Sequence, residues 1–288
     1  MDASQPIGIF DSGIGGLSVF REIQNALPDE ALLYVADQAH VPYGQRPLEE
    51  IREFSRGITR FLLEQNAKLI VVACNTASAA SLFTLRASFT SVSFVGLEPA
   101  LKPAAEVTKS GKVGVLATPA TFQGQLYASL VDRFAQNLTI YQDACPGLVE
   151  LIEAGKLDTP QTRQILEYAL LPMLAAGVDT IVLGCTHYPF VIPLIQTITG
   201  EQVRVINPAP AVARQVRRVL EKEGILAFQT ARQTQKPRFW TSADPQTLTK
   251  HLNIFLGGEG LAGKVIWKNG DLEIFHPSAE ANFSPPVP

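Results

Sequence analysis

Hydrophobic and polar positions form two alternating patterns along this chain. Between short apolar runs lie longer segments such as 48–63, whose apolar residues recur every three or four positions, which predicts an amphipathic helix. The apolar runs themselves predict strands that are buried on both faces. They are residues 6–10, 32–36, 69–73, 92–96, 112–117, 180–183 and 203–206. Alternating strands and helices predict an α/β fold of parallel sheets, with ligands bound at the carboxyl ends of the strands.

Two pairs of predicted strands resemble each other across the chain. The strand around Gly8 resembles the one around Gly114, and the run that leads to Cys74 resembles the run that leads to Cys185. The partners lie 106 positions apart in the first pair and 111 in the second. These similar offsets predict two similar doubly wound parallel-sheet domains. If pseudo-twofold symmetry relates them, the two cysteines face each other across an interdomain cleft.

The duplication also suggests where the domains begin and end. The chain would return to the first domain through a helix that begins near Pro208. The stretch from Gly263 is rich in proline and polar residues, which is typical of an edge strand or a loose tail. The predicted parts are a first domain of residues 1–97 and about 208–270, a second domain of residues 98–207, and a C-terminal tail of residues 271–288.

Composition restricts the kinds of partner. The 288 residues carry 24 basic and 27 acidic side chains, a net charge of −3, and 46% are hydrophobic. Without a run of basic residues, the chain has no electrostatic basis for binding nucleic acid or an anionic membrane. No apolar run approaches the roughly 18 residues of a membrane span, and the first residues do not resemble a secretion signal. We therefore expect a cytoplasmic protein, with a homodimer as one possible assembly, that binds a small molecule.

The three cysteines are expected to be free thiols in that compartment. Cys74 and Cys185 each follow a buried strand and precede a predicted helix N-terminus, where the pKa of a thiol can be lowered. A single buried cysteine is usually a small packing residue, but a matched pair favours acid/base chemistry. Two such groups on opposite walls suit a racemase, in which one removes an α-proton and the other protonates the opposite face. Cys145 has no counterpart and is predicted to be packed.

Polar residues surround these cysteines in the strand-end loops. Such donors could stabilise a carbanion-like transition state, for which a thiolate alone is insufficient. They are Asn75, Thr76, Thr118, Thr121 and Thr186. His187 could assist in acid/base chemistry or bond a backbone carbonyl, and Glu153 could be a solvated helical carboxylate.

A glycine-rich loop, residues 11–16, follows the first strand. It contains G-x-G but has Ser18 where a dinucleotide fingerprint has its third glycine, so that fingerprint is absent. The loop instead predicts a nest at a helix N-terminus that can hold a substrate carboxylate, with Asp11 as an acceptor or a partner for an ammonium group. Asp11 could alternatively be an ordinary helix cap.

Five sequence blocks together resemble the cofactor-independent aspartate/glutamate racemase family. The cysteine blocks are similar to those of the whole family, whereas the D-S-G-I-G-G and P-Y-G blocks resemble glutamate racemases. The blocks are residues 8–16, 41–44, 72–77, 183–189 and 239–242. The resemblance implies interconversion of L- and D-glutamate without cofactor or metal, supplying D-glutamate for peptidoglycan. It also associates activation by a cell-wall precursor with an N-terminal extension, which we expect this chain to lack.

The resemblance further implies roles for individual residues. Cys74 and Cys185 would be the acid/base thiols, supported by Asp11, His187 and Glu153. Glu153 is reached by counting eight residues from Cys145, and Glu150 is a competing register. Substrate would be bound by Asp11, Ser12, Tyr43, Gly44, Asn75, Thr76, Thr186 and His187, to which the pattern of strand-end donors adds Thr118 and Thr121.

Other functions remain open at this point. A racemase of another acidic amino acid, such as aspartate, would have the same cysteines. A hydrolase could use Cys185 with His187 but would leave Cys74 without a role. A binding protein without catalysis would not need a thiol on each wall. A zinc site formed by these three residues lacks the usual ligand spacing.

Overall fold

The computed structural model of the chain describes residues 2–227, 236–258 and 260–276. The strands are β1 (Ile7–Asp11), β2 (Leu32–Ala36), β3 (Leu69–Val72), β4 (Ser93–Gly96), β5 (Lys112–Ala117), β6 (Thr139–Asp143), β7 (Thr180–Gly184), β8 (Arg204–Ile206), β9 (Arg238–Thr241), β10 (Ala262–Lys268) and β11 (Asp271–Ile274). The α-helices are α1 (Leu17–Ala26), α2 (Leu48–Glu64), α3 (Asn75–Ser88), α4 (Leu101–Val107), α5 (Pro119–Gln123), α6 (Gln125–Phe134), α7 (Leu148–Glu153), α8 (Pro160–Ala175), α9 (Ile192–Thr199), α10 (Ala209–Glu223) and α11 (Pro245–Leu256). Within these ranges, no helix combines the length and the apolar character that a membrane crossing requires.

The strands form two sheets with a shared internal order. The first sheet has the order β11-β10-β9-β2-β1-β3-β4, and the second has β6-β5-β7-β8. The segment β2-β1-β3-β4 therefore recurs as β6-β5-β7-β8, with β1 matching β5 and β3 matching β7. These are the strand pairs that resemble each other in sequence. The predicted fold of two similar parallel-sheet α/β domains is confirmed.

Most of the predicted elements are present. All seven predicted strands form, and the predicted helix 48–63 is α2. Strands β6, β9 and β10 were not among the predicted runs. Thr139–Asp143 (β6) lies at the sheet edge, where its residues are only partly buried or exposed, and β9 and β10 also contain exposed or partly buried positions. An edge strand with solvated positions lacks the continuous apolar run that identifies a central strand.

The end of the described chain corrects one prediction. After α10 the chain returns to the first sheet through β9 and β10, but residues 271–274 are not the beginning of a tail. They form β11, which pairs antiparallel with β10. Asn269 and Gly270, both at positive φ, make the turn between these strands, and Asn-Gly is a strong hairpin sequence. The rest of the predicted tail, residues 277–288, lies outside the described residues.

The repeated glycines explain how helices pack against the two central strands. A Cβ at Gly8 in β1 would lie 3.1 Å from a methyl carbon of Leu62 in α2. A Cβ at Gly114, the matching position in β5, would lie 2.7 Å from the sulfur of Met173 in α8. Because side chains at these positions would push the helices away, glycine keeps each helix close to its sheet.

A buried ion pair lies at the amino-terminal ends of strands β2 and β3 in the first sheet. The Nζ of Lys68 lies 2.6 Å from an Oε of Glu30, and both side chains are almost completely buried. Lys68 also donates to the carbonyl oxygens of Ala3 and Ile225, and Glu30 accepts from the backbone N–H of Ala227. The pair therefore connects the N-terminal segment, the start of β3 and the segment after α10.

We expect Lys68→Met to destabilise the protein, because it leaves the Glu30 carboxylate buried without its partner. The loss in the free energy of unfolding should be about 3–5 kcal/mol, and Glu30→Leu in the same chain should recover most of it. Urea denaturation measures both effects. As a control, Lys268→Met removes the exposed pair with Glu273 and should cost less than about 1 kcal/mol. Equal stabilities of Lys68→Met and the wild type would contradict the assigned role of the pair.

Candidate active site

Cys74 occupies the N-terminal end of α3. Its Sγ accepts a hydrogen bond from the backbone N–H of Ala77 at 3.4 Å, and its thiol points to Ser12 Oγ at 4.0 Å. Burial raises the pKa of Cys74, and the carboxylate of Asp11 raises it further, whereas the Ala77 N–H acts in the opposite direction. The lowered pKa that we expected from the helix N-terminus is therefore not found. In this conformation Cys74 holds its proton.

Cys185 follows β7 and lies beside His187. Its Sγ is 3.8 Å from Nδ1 of His187, whose Nε2 is 2.6 Å from Oε1 of Glu153. Burial alone would lower the pKa of His187, but its contacts with Cys185 and Glu153 outweigh burial and raise the pKa well above its ordinary value. The contacts with Cys185 and Glu153 therefore favour the protonated imidazole, in which both ring nitrogens are donors.

Glu153 enters this site from the end of α7. Besides His187, its carboxylate accepts the backbone N–H of Ile14 at 2.7 Å and the Nε2 of Gln38 at 3.0 Å. Burial raises the pKa of Glu153, but these donors outweigh it and hold the pKa below its usual value. Glu150 lies elsewhere, where its Oε1 accepts from the exposed side chain of Gln45. Of the two competing glutamates, Glu153 is the one that contacts His187.

Asp11 bridges the first strand loop and the Cys185 loop. Its Oδ1 accepts the N–H of Gly13 at 2.7 Å and its Oδ2 accepts the hydroxyl of Thr186 at 3.0 Å. Burial raises the pKa of Asp11, while the charge of His187 opposes that increase. The capping alternative is wrong, because α1 has Gly16 at its N-cap and no side chain there bonds the helix.

The glycine-rich loop, residues 11–16, was predicted to hold a substrate carboxylate, but it binds carboxylates of the protein. Its N–H groups at Gly13 and Ile14 already bond protein carboxylates, those of Asp11 and Glu153. A side chain at Gly13 would overlap the Glu153 carboxylate, and one at Gly15 would overlap the imidazole of His187. The loop therefore receives charged groups of the protein itself, where the sequence had indicated a substrate carboxylate.

Three threonines from both domains share hydrogen bonds next to Cys74. Thr76 Oγ1 lies 2.8 Å from Thr118 Oγ1, which lies 3.0 Å from Thr121 Oγ1. Gly44 packs on this cluster, since a Cβ there would lie 2.6 Å from the Cβ of Thr118. Because the hydroxyl hydrogens can rotate, the cluster can present donors or acceptors to a bound group.

The loop after β2 is held by a buried carboxylate that the sequence analysis missed. Asp37 accepts hydrogen bonds from the hydroxyl of Tyr43 at 2.6 Å, the hydroxyl of Ser242 at 2.7 Å and the indole N–H of Trp267 at 2.8 Å. Tyr43 thus has its hydroxyl turned to Asp37. The position of Asp37 directly after a buried strand, like that of Asp11, could have drawn attention to it.

Both cysteines line one narrow cavity, in which a volume of only about 10 Å³ is open to the centre of a water molecule. Asp11, Thr121 and Glu153 do not line it but contact residues that do. The amide of Asn75 is almost completely buried, and neither of its polar atoms has a hydrogen-bond partner among the residues that the structure describes. The lining residues are Ser12, Pro42, Tyr43, Gly44, Cys74, Asn75, Thr76, Thr118, Val149, Cys185, Thr186 and His187, of which Pro42 and Val149 were not predicted.

The remaining predictions concern the third cysteine and a metal site. Cys145 is buried in the hydrophobic core, as expected of a packed thiol. Within the described ranges, no group of three or more histidine, cysteine and acidic side chains is arranged to hold a metal ion.

Comparison with known proteins relates this site to a family. The sequence model of the Asp/Glu/Hydantoin racemase family matches residues 7–216. A glutamate racemase from Pseudomonas aeruginosa is 51% identical over 263 residues, which cover 91% of this chain and 98% of that protein.

Solved structures give the same result. Escherichia coli glutamate racemase, in complex with L-glutamate and the activator UDP-MurNAc-Ala, superposes with a TM-score of 0.79 at 34% identity, covering 91% of this chain and 98% of that one. Francisella tularensis glutamate racemase, in complex with D-glutamate, has a TM-score of 0.79 at 27% identity, covering 92% and 98%. The chain therefore belongs to the Asp/Glu/Hydantoin racemase family, among its glutamate racemases, and is an isomerase.

Proposed function

We propose that this protein interconverts L- and D-glutamate by proton transfer between the α-carbon and two cysteines, without metal or cofactor. One observation carries the proposal: Cys74 and Cys185, which follow matching strands of the two domains, line the same cavity. The unpartnered amide of Asn75 in that cavity supports a polar ligand, because leaving both of its polar atoms unpaired is costly. The bound L- and D-glutamate of the solved relatives support the choice of substrate.

Proton transfer would use one thiolate and one thiol in each turnover. In the L-to-D direction, Cys185 takes the α-proton and Cys74, which burial keeps protonated, delivers a proton to the opposite face. The imidazolium of His187 can exchange a proton with Cys185 through Nδ1, which lies 3.8 Å from the sulfur. Glu153 keeps that imidazole charged and oriented.

The polar cavity wall would stabilise the intermediate and bind the substrate. An α-proton is very weakly acidic, so the carbanion-like transition state needs preorganised donors and a site from which water is excluded. We assign the substrate ammonium to Asp11, whose carboxylate lies one contact behind the cavity lining and accepts from the Thr186 hydroxyl. We assign substrate binding to Asp11, Ser12, Tyr43, Gly44, Asn75, Thr76, Thr118, Thr121, Thr186 and His187.

The role in the cell follows from the product. We propose that the D-glutamate is used for peptidoglycan, as the resemblance to bacterial glutamate racemases implies. The cytoplasmic location and the homodimer that the sequence suggested remain predictions.

Proton NMR in deuterated water tests the reaction directly. We expect purified protein to remove the α-proton signal of L-glutamate while D-glutamate appears, because racemisation exchanges that proton with solvent. The same rate should be found after exhaustive dialysis against a chelator, since both acid/base groups belong to the chain. A rate that the chelator abolishes and zinc restores would contradict the proposal.

Substrate choice gives a second expectation. L-aspartate is one methylene shorter, so its side-chain carboxylate cannot reach the same donors while its α-carbon lies between the cysteines. We expect kcat/KM for L-aspartate to be lower by about 100-fold or more. Circular dichroism of each reaction measures both rates, and similar values would favour a racemase of broader specificity.

The two cysteines should differ in the enantiomer that each deprotonates. Cys74→Ser and Cys185→Ser should each lower racemisation by about 10³-fold or more, because a hydroxyl is a far weaker base near pH 7. Elimination of chloride from 3-chloroglutamate separates their roles, since it needs only one base: the α-proton goes to the thiolate, a C2–C3 double bond forms and chloride leaves. The family pattern implies that Cys185 acts on L-glutamate and Cys74 on D-glutamate.

Cys74→Ser should therefore keep elimination from the L-configured analogue and lose it from the D-configured one, and Cys185→Ser should do the reverse. Chloride release measures both reactions. Cys145→Ser is the matched control, because this third cysteine is buried in the core and should leave both reactions in place. If both active-site variants eliminated from both enantiomers at similar rates, the bases would not lie on opposite faces. Full elimination with Cys74→Ser from both enantiomers would favour a single Cys185–His187 unit.

A further inference from the structure

The end of β9 contributes a side chain to the active site network although it lies far from the cavity in sequence. Residues 239–242 were one of the five sequence blocks, but the proposed chemistry gives them no role. Thr241 is fully buried and pairs with Ala36 in the neighbouring strand β2. Its hydroxyl donates to Oε1 of Gln38 at 2.9 Å, and Nε2 of Gln38 donates to Oε2 of Glu153 at 3.0 Å.

These two hydrogen bonds belong to a series of contacts that ends at the thiol of Cys185. Glu153 Oε1 lies 2.6 Å from His187 Nε2, and His187 Nδ1 lies 3.8 Å from Cys185 Sγ. The order of contacts is therefore Thr241, Gln38, Glu153, His187 and Cys185. Gln38 and Thr241 belong to the first domain, whereas Glu153, His187 and Cys185 belong to the second.

Thr241 also determines which end of the Gln38 amide faces Glu153. The Thr241 oxygen accepts the backbone N–H of Ala243 at 3.1 Å, so its single proton is available for the Gln38 oxygen. With its oxygen held there, the amide presents its NH₂ group to the carboxylate. The reversed amide would place an oxygen against the carboxylate, and two acceptors would then face each other.

Gln38 binds Oε2 of Glu153, the carboxylate oxygen that His187 and Ile14 do not contact. His187 and the Ile14 N–H both bind Oε1, and among the described residues the hydrogen bond to Oε2 comes from Gln38. Without that bond the carboxylate can rotate about its last torsion, whose preferred angles are broad. The direction in which Oε1 faces His187 would then be less well defined.

We propose that Gln38, oriented by Thr241, is a positioning residue that holds Glu153 against His187 and so supports proton transfer at Cys185. This inference rests on the proposed racemase function, in which Cys185 deprotonates L-glutamate. It predicts an effect on one half of the site, because the hydrogen-bond partners of Cys74 among the described residues, Ser12 and Ala77, do not belong to this series.

The test compares Gln38→Met with the wild type on both enantiomers of 3-chloroglutamate. Methionine retains the length of the side chain and removes both hydrogen bonds. We expect chloride release from the L-configured analogue to slow by about tenfold, the scale of one hydrogen bond to a charged group, and release from the D-configured analogue to change less than about twofold. A purely structural disturbance would slow both reactions.

The pH profile of racemisation provides a second readout. The Gln38 donor helps to lower the pKa of Glu153, so its loss should raise that pKa and move the acid limb of kcat/KM to higher pH. Among the residues that the structure describes, other titratable groups that interact with Glu153 include His187, Asp11, Tyr34 and His251. They remain in the variant, so a shift reports the loss of the Gln38 donor.

Matched variants separate the hydrogen bonds from packing. Thr241→Val should reproduce the selective loss, whereas Thr241→Ser keeps the hydroxyl and should restore most of the rate. Gln45→Met is the control, because it removes another Gln–Glu bond, 3.0 Å long and exposed to solvent, that does not lead to His187. If Thr241→Val does not fold, Gln38→Met decides alone, since Gln38 is only half-buried.

The outcomes distinguish this inference from the function on which it rests. A wild-type protein without racemisation or elimination would overturn the proposed function and this inference together. An active wild type whose Gln38→Met variant shows an unchanged ratio between enantiomers and an unchanged pH profile would overturn the positioning role alone. The same conclusion would follow if Thr241→Ser were as impaired as Thr241→Val.

Discussion

The buried ion pair between Glu153 and His187 is the interaction on which the arrangement of the site depends. Removing two charges from water costs several kcal/mol for each unless hydrogen bonds satisfy their remaining donors and acceptors. Here Glu153 comes from the second domain, but the donors of Ile14 and Gln38 come from the first. The charges are therefore fully satisfied only when the domains meet. Separating the domains would expose Glu153 to water and remove the donors of Ile14 and Gln38 from its carboxylate.

The glycines of the site leave room for side chains of the other domain. The contact between Glu153 and His187 brings both side chains close to the backbone of the glycine-rich loop. Gly13 and Gly15 leave room for Glu153 and His187, and Gly44 leaves room for Thr118. None of these three has the positive φ that favours glycine for conformational reasons. The D-S-G-I-G-G and P-Y-G blocks thus mark the places where one domain receives side chains of the other. An alanine methyl group at Gly13 would therefore collide with the carboxylate of Glu153, and one at Gly15 would collide with the imidazole of His187.

The sequence predicted the elements whose pattern is local and missed the features that depend on distant parts of the chain. Seven strands are continuous apolar runs, so they were found. Strands β6, β9 and β10 have partly buried or exposed positions and were not. The repeat around the two cysteines was visible because each copy is contiguous. Glu150 and Glu153 lie three positions apart on one short helix, and only the tertiary contact with His187 distinguishes them. The pairing of Gln38 with Thr241 spans 203 positions and has no local pattern.

Duplication makes the two cysteines equivalent in position but not in chemistry. The offset of 111 that relates the cysteines also relates Thr76 to His187, so one thiol has a neutral hydroxyl cluster where the other has an imidazolium. The enantiomers of glutamate have equal free energies in water, so kcat/KM must be the same in both directions whatever the environments of the bases. For a racemase, the unequal surroundings can therefore make the two directions differ only in how their common kcat/KM divides between kcat and KM. In the proposed mechanism, this difference between the two thiols would decide which enantiomer the resting enzyme binds productively, while the equilibrium between the enantiomers stays fixed.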